Sequence, residues 1–385
     1  MLRLPALVLL IIAPLALGQE VPDPASPVVP PLPEDNGARV AVLGYHEFSA
    51  TKEPTLMRMK PSEFKKQMEV LKELNLPVIS LHQFLEWKRG NAEIPPRSVL
   101  ITIDDGWKSV YTEAYPILKA HGYPFTIYLY KNYVDGGGRA LTTPMIKEMQ
   151  QNGCTIGSHS VSHALPAQGK AQAKKGPEAY HQFLRSEFGD SRKFLMDKFK
   201  EPVTTYAYPG GYFPSEMFPF GDDAGYECFF TVVPGKVRRD SSNHALPRYI
   251  VHGTTQRSFT SATSFQATGN SAPSIGFKTT PHPVYPGPGG MVESRLPTIW
   301  ADLSGVENLD PSSISMRIAG FGRVPATFDP VAKRFSWTVN RRLRQQVTEI
   351  TVQWSLLDEP KPEAPMSWSF LIDREAAYQA GAGQE

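Results

Sequence analysis

The stretch Ser98-Val-Leu-Ile-Thr-Ile-Asp-Asp-Gly-Trp107 decides how this chain is read. Its first part is a near-continuous apolar run, which fits a strand covered on both faces. The run stops at two adjacent carboxylates and a glycine, Asp104, Asp105 and Gly106. Adjacent carboxylates repel each other and lose solvation when buried, so a strand end that carries them needs compensation, most simply a cation. Neighbouring side chains on an extended chain point to different sides, so one acid can hold an ion while the other faces a reacting group. Read alone, Asp-Asp-Gly is also an ordinary turn or helix cap.

Outward from this run, strands and helices alternate. ARVAVLGYHEF (38–48) is a short strand running into a loop, and FTIYLY (125–130), CTIGS (154–158), TYAY (205–208) and FFTVV (229–233) are further strands. Between them, apolar residues recur at helical spacing over Pro61–Leu74, Val110–Ala120, Pro144–Gln151 and Pro177–Lys200. Ser80 and Gln83 fit a capping box that opens one more helix. The alternation predicts parallel strands with right-handed crossovers, a (β/α) barrel whose chemistry collects on loops after the strand C-termini. After about Gly253 the pattern changes. A Ser/Thr/Gly/Pro-rich stretch, 254–290, reads as a linker. From about Pro297 strict period-two alternation appears, as in Phe335, Trp337 and Val339 or Trp368, Phe370 and Ile372. This predicts an α/β barrel followed by a C-terminal antiparallel β-sandwich over 291–375, with a short tail at 376–385. Trp300, Trp337, Trp354 and Trp368 are read as lying on its inward face.

Composition bounds the rest. The 385 residues carry 40 basic and 38 acidic side chains, a formal charge of +2, which gives no field to gather a polyanion and excludes nucleic acid as a partner. Residues 1–18 have Arg3, an apolar run and an Ala16-Leu17-Gly18 cleavage pattern, read as an export signal, and 19–37 as a proline-rich tether. Export makes the mature chain periplasmic or extracellular, and no later segment is apolar and long enough to span a membrane. Cys154 and Cys228 precede strands predicted to have another strand between them, a spacing of about 10 Å that favours two buried free thiols over a disulfide.

A second motif, Gly157-Ser-His-Ser-Val-Ser-His163, places His159 and His163 four residues apart, again just after a strand. With Asp105 they make a two-histidine, one-carboxylate set that leaves a position open for water. That set suits Zn²⁺ well and Fe, Co or Ni tolerably. Isolated, such histidines are as readily core or solvent-facing residues. His46 follows the first strand, and its weight depends on whether that strand neighbours the others.

From Val40 to Gly253 the chain resembles the polysaccharide deacetylase family, carbohydrate esterase family 4, whose members are metal-dependent deacetylases on an irregular (β/α) barrel. The resemblance rests on ITIDDG and HSVSH. It implies that Asp104 is the catalytic base and that Asp105, His159 and His163 are metal ligands. The family's third motif carries an arginine where this chain has Ala207, so the orienting arginine must come from elsewhere, and Arg248 in LPRYIV is the candidate. The usual last motif is also missing as such. YHEF resembles the circularly permuted branch of biofilm poly-N-acetylglucosamine deacetylases, which gives His46 the acid role, with His252 as its rival. By the same resemblance a backbone N–H near Gly210 contributes to oxyanion binding. Trp107, Tyr208 and Tyr212, aromatics that follow strands, are read as flanking a sugar ring, with lid packing as the alternative. The expected activity is hydrolysis of N-acetyl groups on an acetylated amino-sugar polysaccharide. The alternatives are an O-acetyl glycan esterase and a catalytically silent glycan-binding protein.

Overall fold

A computed structural model describes residues 33–265, 279–358 and 362–373. The expected export signal, most of the tether, the middle of the linker and the tail lie outside the described residues.

Seven strands build the first layer: β1 (Arg39–Tyr45), β2 (Arg97–Asp105), β3 (Phe125–Leu129), β4 (Cys154–Ser158), β5 (Thr205–Ala207), β6 (Cys228–Phe230) and β7 (Tyr249–Ile250). They pair in the order β7-β1-β2-β3-β4-β5-β6, all parallel, and Lys236–Val237 adds an antiparallel edge to β1. The sheet curls until its ends meet. Phe230 bridges Leu246, Thr231 N donates to Leu246 O at 2.9 Å, and Arg248 N donates to Val233 O at 2.8 Å. This is the irregular barrel that the alternation of elements predicts.

Both faces of the central strands are apolar because each meets a different core. Ala41, Leu43, Val99, Ile101 and Ile103 pack outward against the helices. Val40, Val42, Leu100, Tyr128, Ala207 and Phe230 pack together on the other face, with Phe84 and Trp87 of the helix Leu81–Arg89 against them. The period of two then carries Thr102 and Asp104 onto the same face as Leu100, and Gly44 and His46 onto the face of Val42. The capping box forms as the sequence predicts, with Gln83 N donating to Ser80 Oγ and Ser80 N to Gln83 Oε1. The stretch Pro177–Lys200 is helical, interrupted by a π turn at Ser186–Asp190. Cys154 and Cys228 are buried free thiols on β4 and β6, with β5 between them.

The C-terminal region holds a four-stranded and a five-stranded sheet over one apolar core. The inward alternation holds for Trp337, Trp354 and Trp368, all buried. Trp300 differs. Ile299 and Ala301 take the inside of that strand, and Trp300 lies on the outer face, stacked on Tyr285 with the Arg334 guanidinium 4.3 Å from its ring. The linker expectation also needs correcting. Arg257–Thr263 is a helix that buries Phe259 and Ala262 in the barrel core, and Val284–Tyr285 already pairs with the sandwich strand Thr298–Asp302. Ser/Thr-rich composition hid the helix because only two of its residues face inward. No helix among the described residues is long and apolar enough to cross a membrane.

Candidate metal centre

Strand register brings the motif residues together. Tyr45 pairs with Ile103, Asp105 with Leu129, and Leu129 with Ser158, so His46, Asp104, Asp105 and His159 end at one level of the barrel mouth. His159 N donates to Leu129 O, which continues the ladder one residue past β4. Beyond the strands the backbone bends sharply. Asp105, Ser160 and His163 have φ of 75°, 77° and 55°, a left-handed region that non-glycine residues rarely adopt. Three such residues around one point are stored strain of the kind found at functional sites.

The ligand atoms of Asp105, His159 and His163 all lie within 4.8 Å of one another. Asp105 Oδ1 is 3.5 Å from His159 Nε2 and 3.3 Å from His163 Nε2. Bonds of about 2.0–2.1 Å at tetrahedral angles would space zinc ligands by about 3.3 Å, so the observed spacings fit an ion. The remaining valences are already engaged: His159 Nδ1 donates to Ala207 O at 2.7 Å, and Trp107 Nε1 donates to Asp105 Oδ2 at 2.9 Å. Asp105 Oδ1 is buried and accepts no hydrogen bond. An orphaned carboxylate oxygen facing two imidazole nitrogens is what a cation would satisfy. Burial pushes the His159 imidazole down to about 4, which keeps it neutral, the state a ligand needs. Burial would raise Asp105, but the imidazoles of His163, His46 and His159 outweigh it and hold the carboxyl below the usual range.

Asp104 is buried and held from one side. Arg248 Nη1 donates to Asp104 Oδ1 at 2.7 Å, and Arg248 Nε donates to Thr231 O at 3.1 Å. Burial alone would raise the Asp104 carboxyl; the Arg248 charge, with His159 and His46, brings it below its ordinary value. Asp104 Oδ2 faces the other way, 3.8 Å from His46 Nε2 and 4.0 Å from His159 Nε2. Gly44 lies close against β7: a Cβ there would sit 2.8 Å from Ile250 Cδ1 and touch the Arg248 side chain at 3.4 Å. His46 follows β1 between two fixed neighbours, Tyr45, whose hydroxyl donates to Gln67, and Glu47, which accepts from Arg58 and Arg139.

These groups open into a cleft of about 800 Å³, also lined by Gly210, Tyr212 and His252. Of the two rival imidazoles, His46 lies 3.8 Å from Asp104 Oδ2, while His252 lines the cleft. One of the expected aromatic contacts is corrected. Tyr208 borders the cleft, but its ring is stacked between Phe213 and Phe229 with its hydroxyl on His244 O, and 1% exposure leaves no face for a sugar. Trp107 donates to Asp105 and packs edge-on against Tyr133 under the Arg139 guanidinium. Tyr212 does line the cleft, and its hydroxyl donates to Glu293. Sequence reasoning missed Glu187. Its carboxylate is buried and accepts from Val161 N and Ser162 N, both at 3.0 Å, and from Ser162 Oγ at 2.8 Å, so it anchors the loop between the two histidines.

Residues 91–229 match the family described as Polysaccharide deacetylase. Over 211 residues the chain is 28% identical to a poly-beta-1,6-N-acetyl-D-glucosamine N-deacetylase of Staphylococcus aureus (strain MSSA476), covering 53% of this chain and 71% of that one. Among solved structures, a de-N-acetylase from Aggregatibacter actinomycetemcomitans superposes with a TM-score of 0.52 at 20% identity, over 59% of this chain and all of the other. The deacetylase PplD of Streptococcus pyogenes, solved in complex with acetate, gives 0.51 at 19% identity over 59% of this chain and 99% of that one. At those identities the two structures speak for the barrel fold.

Proposed function

This chain carries a domain of the polysaccharide deacetylase family, and from that premise we propose that it is an exported, metal-dependent hydrolase of N-acetyl groups on an amino-sugar polymer. One observation carries the reading: a buried Asp104, fixed through Oδ1 by Arg248, turns Oδ2 toward a convergent Asp105–His159–His163 ligand set. The N-deacetylase named among the relatives supports the amide and the amino sugar.

A divalent ion held by Asp105, His159 and His163, Zn²⁺ by the donor set and Co²⁺, Ni²⁺ or Fe²⁺ as substitutes, supplies Lewis acidity to an acetyl carbonyl and to the attacking water. Asp104 accepts the water proton at Oδ2, because Arg248 occupies Oδ1. Its lowered pKa keeps it ionised and able to do so near neutral pH. A backbone N–H near Gly210, on the cleft wall, would meet the developing oxyanion. His46 Nε2 gives a proton to the departing amine. An amide needs that proton because an amine anion leaves very poorly, while an ester needs it less.

Elemental analysis and acetate release from acetylated glucosamine oligomers test the reading together. Asp105→Ala and His159→Ala should lose metal and activity alike, whereas Asp104→Asn should keep the metal and lose about 10²–10⁴ in turnover or more. His46→Ala should spare an aryl acetate more than an N-acetyl sugar. Full metal content in the Asp105 and His159 variants, or equal losses on both substrates for His46→Ala, would overturn the corresponding assignment.

A further inference from the structure

Building on the deacetylase reading above, we infer that the β-sandwich forms the second half of the substrate cleft and binds the sugar residues flanking the one deacetylated, with Gln346 as its specificity-determining side chain. The cleft runs unbroken from Asp104, Asp105 and the two histidines to Met291, Gln346, Leu371 and Asp373 of the sandwich. At about 800 Å³ it is in the range of sites that enclose a whole ligand, far more than an acetyl group fills.

The sandwich wall is rigidly attached. Leu371 is buried in the barrel's apolar core, not in that of its own sandwich, and Met291 and Val347 pack against the same cluster. Met291 N donates to Phe213 O, and a Cβ on Gly290 would sit 2.6 Å from Ser215 Cβ, so the domains meet backbone to backbone. Lys170 Nζ lies 2.9 Å from Asp373 Oδ2 and 3.9 Å from Glu293 Oε1, and Tyr212 donates to that same Glu293. Lys170 is on the helix Pro166–Ala173 just after His163, and Tyr212 follows the Gly210 turn. The wall is therefore fixed to the loops that carry the ligand set and the oxyanion donor.

Its chemistry suits a neutral sugar chain. Gln346 is exposed within the cleft, and its primary amide can both donate to and accept from ring hydroxyls or a neighbouring acetamide. Met291 and Val347 beside it, both half-buried, offer apolar surface to the C–H faces of a pyranose. A monosaccharide seated at the ligand set cannot use this wall, and a longer chain can.

The test is the dependence of kcat/KM on chain length, using β-linked N-acetylglucosamine oligomers of one, three and five residues and the full-length protein. Wild type should gain about tenfold from one residue to three, the gain a well-placed polar contact gives. Gln346→Ala should remove most of that gain, and Gln346→Trp, which fills the wall from an exposed position, should abolish it, both with unaltered melting temperature. A full gain in both variants, or acetate release by wild type with no length dependence, would overturn the sandwich wall and leave the deacetylase reading standing. Hydrolysis of an aryl acetate with no release from any oligomer would overturn the deacetylase reading itself, and this inference with it.

Discussion

Arg248 shows how one side chain sets the chemistry of another. It is 1% exposed, and its charge faces Asp104 across 2.7 Å with no solvent to screen it. Removing one member of a buried pair leaves an uncompensated charge, so Arg248→Ala should cost about 3–5 kcal/mol of stability, read as a shift in the urea midpoint. Arg248→Lys keeps the charge but loses the planar fork that spans Thr231 O and Asp104 Oδ1. A misplacement of about 1 Å can cost about 10²-fold, so Arg248→Lys should lower kcat by that order with metal content unchanged. The acids and histidines were legible because unusual residue types sit together in sequence. Arg248 was legible only as a candidate, since its pairing depends on β7 returning beside β1. The Tyr208 ring was misread because an aromatic after a strand carries no local mark of whether it faces cleft or core.

Between residues and the whole stand the elements, and the helical stretch after Pro177 shows what periodicity can reveal. Its stripe of Tyr180, Phe183, Leu184, Phe188 and Leu195 also contains Glu187 and Ser191. An acid and a hydroxyl on a buried stripe were the available signal for a supporting role. Ser191 Oγ donates to Ser160 O, and Glu187 accepts three hydrogen bonds from residues 161 and 162. Glu187→Gln places an amide where a carboxylate met N–H donors. It should weaken metal affinity by about 10–100-fold, measured by competition with a chromophoric chelator, while far-UV circular dichroism stays the same. Unchanged affinity would mean that the left-handed turns at Ser160 and His163 hold without that anchor.

Across the whole molecule, strict alternation made the sandwich strands legible, but not their attachment to the barrel. The signal was small: Phe370, Leu371 and Ile372 are consecutive apolar residues where alternation calls for a polar one, and all three are buried. The barrel has its own stability marker at Lys88. Burial holds its ammonium down to about 8, while Nζ donates to Arg239 O and Ser241 O at 2.7 Å. Between pH 8 and about 10.5 the folded chain has released a proton that the unfolded chain still holds. Raising the pH through that window therefore favours folding, by up to about 1.4 kcal/mol per unit. Wild type should gain stability relative to Lys88→Met between pH 8 and 10 and show no such relative change between pH 6 and 7.5, as read by urea midpoints; a constant difference would refute the depressed pKa.

The barrel's seam has a consequence for how the protein fails. Three backbone hydrogen bonds close the seam, Leu246 N to Phe229 O, Thr231 N to Leu246 O and Arg248 N to Val233 O, and from there the Arg248 side chain reaches back to Asp104 on the second strand. The guanidinium thus ties the seam to the second strand, and Asp104 keeps its Oδ1 partner only while the seam is shut. On slow heating, turnover should fade several degrees before the circular dichroism signal, because fraying there disarms the catalyst while nearly every helix and strand is still intact.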